Sequence, residues 1–118
     1  MTGEERHTES RQAQLLKGLV ELALLSLLDE GPRYGLEILD TLRHDAGLAL
    51  AEGTIYPLLH RLEKAKLTRS EWRLDQEGAR PRKYYALTAR GTHELARKLS
   101  EWRQLNKSLE GFLKRRGK

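Results

Sequence analysis

Thr54, Tyr56, Pro57, His60, Arg61 and Lys64 lie within one short stretch, and Arg80, Arg82 and Lys83 crowd a second stretch further along. A hydroxyl, an aromatic ring, an imidazole and two cations followed by three more cations form no catalytic constellation. What they offer is hydrogen bonding to base edges and charge pairing with phosphates. The plain alternative is a solvated helix face, since most polar faces meet only water.

Covalent and metal chemistry is absent by the same inspection. The histidines are His7, His44, His60 and His93, and none is spaced to share a metal with a carboxylate or a second histidine on one face. His44–Asp45 and His93–Glu94 are adjacent, so on a helix they point apart. There is no cysteine, hence no thiolate and no disulfide framework. Neither a phosphate-cradling glycine loop nor a nucleophile elbow occurs. An enzyme, a cofactor and a metal are not expected.

The elements that position the polar residues follow from periodicity. Ile55, Leu58, Leu59 and Leu62 recur at i, i+3, i+4 and i+7, one apolar stripe of a helix over about 53–66. Its start is open between two arrangements. If it begins near Glu52, Pro57 interrupts the early ladder; if Thr54 caps it, Pro57 falls in the first turn at little cost. Ala51 stands where a hydroxyl or carboxylate cap would help by about 1 kcal/mol. From Leu67 to Leu74 the period becomes two, with Thr68, Ser70, Trp72 and Leu74 on one side and Arg69, Glu71 and Arg73 on the other. Residues 75–81 read as a turn by composition, and Arg82 to Leu87 as a second strand. Helix, hairpin with a basic tip, then helix is the layout of a winged helix-turn-helix. Thr54, Tyr56, His60 and Arg61 are the base-edge or groove candidates, and Lys64, Arg80, Arg82 and Lys83 the phosphate candidates.

Three segments carry a more specific likeness: Tyr34-Gly35-Leu36-Glu37-Ile38, the run from Gly53 to Glu63, and Arg82-Lys83-Tyr84-Tyr85-Ala86-Leu87-Thr88-Ala89-Arg90-Gly91. In order and spacing they resemble the signature blocks of the PadR family of transcriptional regulators, over roughly residues 12–113. The chain is similar to the short members that have a single final helix. It lacks the helix-capping serine often seen before the Gly-Thr pair. The resemblance implies a cytoplasmic, homodimeric repressor that reads a pseudo-palindromic operator on double-stranded DNA. It adds Tyr34 as a phosphate contact, against the alternative of a tyrosine half-buried on the wing. It also includes Gly53 and Pro57 in the DNA-binding set. A competing expectation is a winged-helix module that uses the same face for a protein and binds no DNA.

The rest of the chain reads as support. Residues 1–10 are expected as a disordered lead, 11–88 as the winged helix domain, and 89–118 as a C-terminal dimerisation helix with a basic tail. The class is mainly α (α+β). From Gln12 to Asp29 a helix is apolar nearly all round, so one face enters the core and the other meets either a second subunit or more of the same core. Gly31-Pro32 stops it, a second helix spans about Tyr34 to Asp45, and Leu48–Ala51 form a link with room for a short strand. Thr88 is the expected N-cap of the last helix, Ala89 to Lys114. That helix carries an apolar seam edged by charge, longer than a small winged domain can cover. Leu15, Leu19, Leu22, Leu95, Leu99, Trp102, Leu105, Leu109 and Phe112 are therefore the subunit-interface candidates. The resemblance further suggests the dimer as a small-molecule sensor with Trp102 as the ligand-binding candidate; the alternative is a tryptophan filling the seam.

Charge is distributed to match. The net charge is +5, but residues 1–51 hold 5 basic and 9 acidic side chains while residues 52–91 hold 9 and 5. The helix-plus-wing segment is basic and the N-terminal half acidic, which suits a polyanionic partner. The polar, acidic N-terminus is no secretory signal, and the apolar run Leu22–Leu28 falls far short of the ~20 residues that span a bilayer.

Overall fold

The apolar stripes of three helices converge on one core. Ile38, Leu39 and Leu42 come from α2 (Gly35–Asp45), and Ile55, Leu58, Leu59 and Leu62 from α3 (Glu52–Lys64). Both pack on Val20, Leu24, Leu25, Leu27 and Leu28 of α1 (Thr2–Asp29), joined by Leu50, Tyr85 and Leu95. The computed structural model describes the backbone of residues 2–74 and 80–115, and their side chains from residue 16 onward. The chain continues as β1 (Arg33–Tyr34) before α2, then β2 (Thr68–Arg73), β3 (Arg82–Leu87) and α4 (Ala89–Arg115) after α3. The architecture is α+β, a winged helix in which the hairpin acquires a third short strand. No helix among the described residues is long and apolar enough to cross a membrane.

Most boundaries match the periodicity within a residue or two, and the differences have local causes. The backbone of residues 2–10, expected as a lead, continues α1; the run has no proline, and Glu4, Glu5, Arg6 and Glu9 are good helix formers. The link at 48–51 forms no strand. It folds inward instead: Leu50 is buried, its carbonyl accepts from Arg43 Nε at 2.7 Å, and the Leu48 N–H donates to the Leu42 carbonyl. The additional strand is β1, antiparallel to β3 with Arg33 opposite Tyr85 and Tyr34 opposite Tyr84, so the sheet runs β1-β3-β2. The turn expected at 75–81 lies, for residues 75–79, outside the described residues, as do the tail residues 116–118.

Two joints hold the wing and the last helix to the core. Lys66 takes a left-handed conformation (φ 65°) just past α3; its N–H donates to Glu63 and that of Leu67 to Leu62, satisfying the helix's last carbonyls. Thr88 caps α4 as expected: its hydroxyl accepts from the Gly91 N–H at 3.0 Å and donates to the Lys66 carbonyl at 2.7 Å. At Gly91 a Cβ would stand 2.0 Å from the Leu67 carbonyl oxygen, so this approach of helix to strand admits only glycine.

Candidate nucleic-acid interface

The α3 residues opposite its apolar stripe reach the surface together. Gly53, Thr54, Tyr56, Pro57, His60, Arg61 and Lys64 are all exposed. The helix begins at Glu52, with Ala51 in extended N-cap geometry and no side-chain cap, which settles the open start in favour of the first arrangement: Pro57 lies inside α3. Lacking an N–H, Pro57 cannot bond the Gly53 carbonyl one turn back.

Tyr56 is held by α2. Its ring lies on Gly35, where a Cβ would meet the ring Cε1 at 2.5 Å and the hydroxyl at 2.8 Å. The Tyr34-Gly35 pair thereby acquires a physical meaning, since glycine leaves the space that Tyr56 of α3 fills. Burial pushes the Tyr56 phenol above its ordinary value of 10.0, and Glu52 and then Tyr85 push it the same way. Tyr56 is therefore a protonated donor at neutral pH.

The wing faces α3 across a groove of about 650 Å³ lined by Tyr34, Tyr56, Trp72, Arg80, Arg82 and Lys83, among others. Alternation builds it. In β3, Lys83, Tyr85 and Leu87 share one face, opposite Trp72, Ser70 and Thr68 of β2. The inner end, Thr68 and Tyr85, is buried in the core. The outer end projects past it, leaving Trp72 67% exposed.

The expected cations do not stand alike. Arg80 and Arg82 are exposed, and the Arg82 guanidinium stacks 4.3 Å over the Tyr34 ring. Tyr34 is half-buried, edge-on to Tyr84 at 5.4 Å, and its N–H donates to the Glu37 carboxylate at 3.4 Å. Packing on the wing thus holds as an account of its ring, while its place in the groove keeps the phosphate role open. Lys83 is ion-paired at 3.7 Å to Glu63, which also accepts from the Ser70 hydroxyl. Arg61 Nη2 lies 3.3 Å from Glu21 of α1. Two of the expected contacts are therefore neutralised within the chain, whereas Lys64, Arg80 and Arg82 have no carboxylate partner among the described residues.

Trp72, Pro81 and Leu36 line the groove without having been singled out from sequence. Alternation put Trp72 on the same side as Thr68 and Ser70; what it did not convey is that the core ends before that position.

The interface candidates divide. Leu15 lies outside the described side chains. Leu95 departs from expectation: it is buried in its own chain's core, because the first turns of α4 lie on α1 and β3. Leu19, Leu22, Trp102, Leu105 and Leu109 line a second groove between α1 and α4, of about 560 Å³. Leu99 is half-buried, and Leu105 (71% exposed) and Phe112 stand out into solvent.

Comparisons with known proteins agree with this architecture. The profile of the transcriptional regulator PadR-like family matches residues 24–97. A Streptococcus transcriptional regulator of known structure is 38% identical, with a TM-score of 0.76, over 84% of this chain and 96% of its own. A PadR-like transcriptional regulator from Bacillus cereus is 31% identical, with a TM-score of 0.78, over 85% and 96% of the two chains. A curated but uncharacterised protein of Lysinibacillus sphaericus is 27% identical over 86% of this chain and 94% of its own length.

Proposed function

This chain belongs to the PadR-like family of transcriptional regulators, and from that premise we propose that it is a homodimeric repressor binding a pseudo-palindromic DNA operator. The observation that carries the reading is the groove in which Tyr56, on the exposed face of α3, confronts Arg80, Arg82 and Trp72 of the wing. Thr54, Tyr56, His60 and Arg61 meet base edges in a major groove in this reading, with Gly53 and Pro57 allowing close backbone approach. Tyr34, Lys64, Arg80, Arg82 and Lys83 meet the flanking phosphates. Tyr56 keeps its phenolic proton, and so a donor, for such a contact.

Pairing of two chains supplies the symmetry. The faces of α1 and α4 that carry Leu19, Leu105, Leu109 and Phe112 find no cover among the described residues, and a second copy brings the same surface. Two reading helices then address half-sites about one helical turn apart. The groove beside Trp102 is the place for an effector that releases the operator.

Selection of bound fragments from random DNA by the purified protein tests the reading. The expected product is a twofold-symmetric motif with half-sites about 10 base pairs apart. The Arg82→Ala/Lys83→Ala variant should bind more weakly on all sequences and with a flatter dependence on salt. Failure to retain any fragment at low salt, alongside salt-tolerant capture of a protein, would favour the protein-interaction module instead.

A further inference from the structure

Glu21 is an acidic side chain inside an otherwise apolar helix face, and it is only 9% exposed. Its two carboxylate oxygens are divided between two other helices. Oε2 accepts from Arg61 Nη2 of α3 at 3.3 Å, and Oε1 lies 3.5 Å from Lys98 Nζ of α4. Lys98 in turn lies 3.8 Å from Glu94, which Arg97 holds at 2.7 Å. An alternating line of charge thus runs from the reading helix, through α1, onto the last helix. Its far end borders the α1–α4 groove, where Lys98 and Glu101 are the charged lining residues.

A buried carboxylate is costly without compensation, and here no single cation supplies it. Two cations on one anion weaken each other's hold, because each screens part of the charge that attracts the other. We propose that Glu21 is a positioning residue for Arg61, and that Lys98 sets how firmly it does so. When Lys98 is drawn towards the groove, Glu21 falls to Arg61 alone, and Arg61 is held back from DNA. When DNA draws Arg61 away, Lys98 closes on Glu21. The coupling is reciprocal, as any such linkage must be. It deepens the DNA-binding reading and rests on it, since it assigns Arg61 two competing anions, the Glu21 carboxylate and the DNA.

The test is a double-mutant cycle on the full-length protein with its selected DNA site. Lys98→Met should weaken binding roughly two- to five-fold, as for a partly exposed ion pair, and the effect should vanish in an Arg61→Met background. Glu21→Gln should strengthen binding at low salt and steepen the salt dependence by about one counterion per subunit. Loss of the same factor on Lys98→Met with or without Arg61, or no loss in either, overturns the proposal. A second measurement needs no DNA. Solvent exchange of the Arg61 guanidinium protons, followed by NMR, should slow in Lys98→Met and quicken in Glu21→Gln. Unchanged exchange in both overturns the coupling even if the protein retains no DNA, which keeps its failure separate from failure of the DNA-binding reading.

Discussion

Lys66 is the one non-glycine residue among those described with a left-handed backbone. The position is dictated by the chain's path: α3 must end and reverse into β2 within three residues, and the N–H groups of Lys66 and Leu67 close its last turn. A side chain with a Cβ is strained there, whereas glycine is not. Lys66→Gly should therefore stabilise the protein by about 0.5–1 kcal/mol, after allowing for glycine's greater freedom in the unfolded chain. The check is a higher urea midpoint with an unchanged slope; a lower midpoint would mean that the lysine side chain contributes more than its backbone strain costs. Tyr56 shows a different kind of residue-scale effect. Its phenol is raised by burial first and then by Glu52 and Tyr85, so the folded state holds the proton more tightly than the unfolded state. The stability this brings is complete below pH 10 and declines as pH rises through the higher folded value. The difference in phenolate absorbance between wild type and Tyr56→Phe should report a group titrating above 10, and wild-type stability should fall faster than the variant's in alkali. A difference titration centred at or below 10 would contradict the packing of this ring on Gly35.

At the scale of elements, α3 is the weakly finished one. It starts at Glu52 with Ala51 at φ −108° and ψ 160°, the extended geometry of an N-cap, yet no side chain caps its first N–H groups, and only that of Thr54 reaches back to the Ala51 carbonyl. Ala51→Ser places a hydroxyl there without moving the backbone and should add about 1 kcal/mol, read as a raised thermal midpoint. No gain would mean that those N–H groups already have a partner. The same helix shows what the sequence conveys and what it withholds. Its apolar stripe, Ile55, Leu58, Leu59 and Leu62, is periodic and local, so the buried face was legible. The α3 start was not, because Ala51 offers no capping side chain and Pro57 is compatible with either start. β1 was invisible for a related reason: two residues, Arg33 and Tyr34, become strand only through pairing with Tyr84 and Tyr85, some fifty positions away. In the candidate site, alternation placed Arg82 and Lys83 at the start of the second strand, but their pairing states differ through Glu63 on another element. The contact between Glu21 and Arg61 bridges forty positions, and no periodicity encodes a contact of that kind.

The whole molecule is more extended than a chain of its length needs to be. Its radius of gyration is 17.0 Å, against about 13.5 Å for a compact domain of this size. The excess comes from long helices, for α4 has 27 residues and every one from Ser100 to Arg115 is exposed. Within that stretch Leu105, Leu109, Phe112 and Leu113 recur on one flank at helical spacing, each at least half uncovered except Phe112 at 49%. A lone chain gains nothing by ordering this surface; two chains that shelter it gain the burial of several large apolar side chains each, at about 25 cal/mol per Å². Leu105→Glu/Leu109→Glu is the discriminating variant. Neither side chain belongs to the chain's own core, so the fold should persist, with unchanged helicity, while the protein sediments as a single chain. If the pairing holds two reading helices on one site, affinity for the full operator should then fall by about a hundredfold or more, as the second contact ceases to be intramolecular, while affinity for an isolated half-site stays within a few-fold. A wild-type protein that already sediments as one chain at micromolar concentration would reject the pairing, and a charged variant that still pairs would place the twofold axis elsewhere on the molecule.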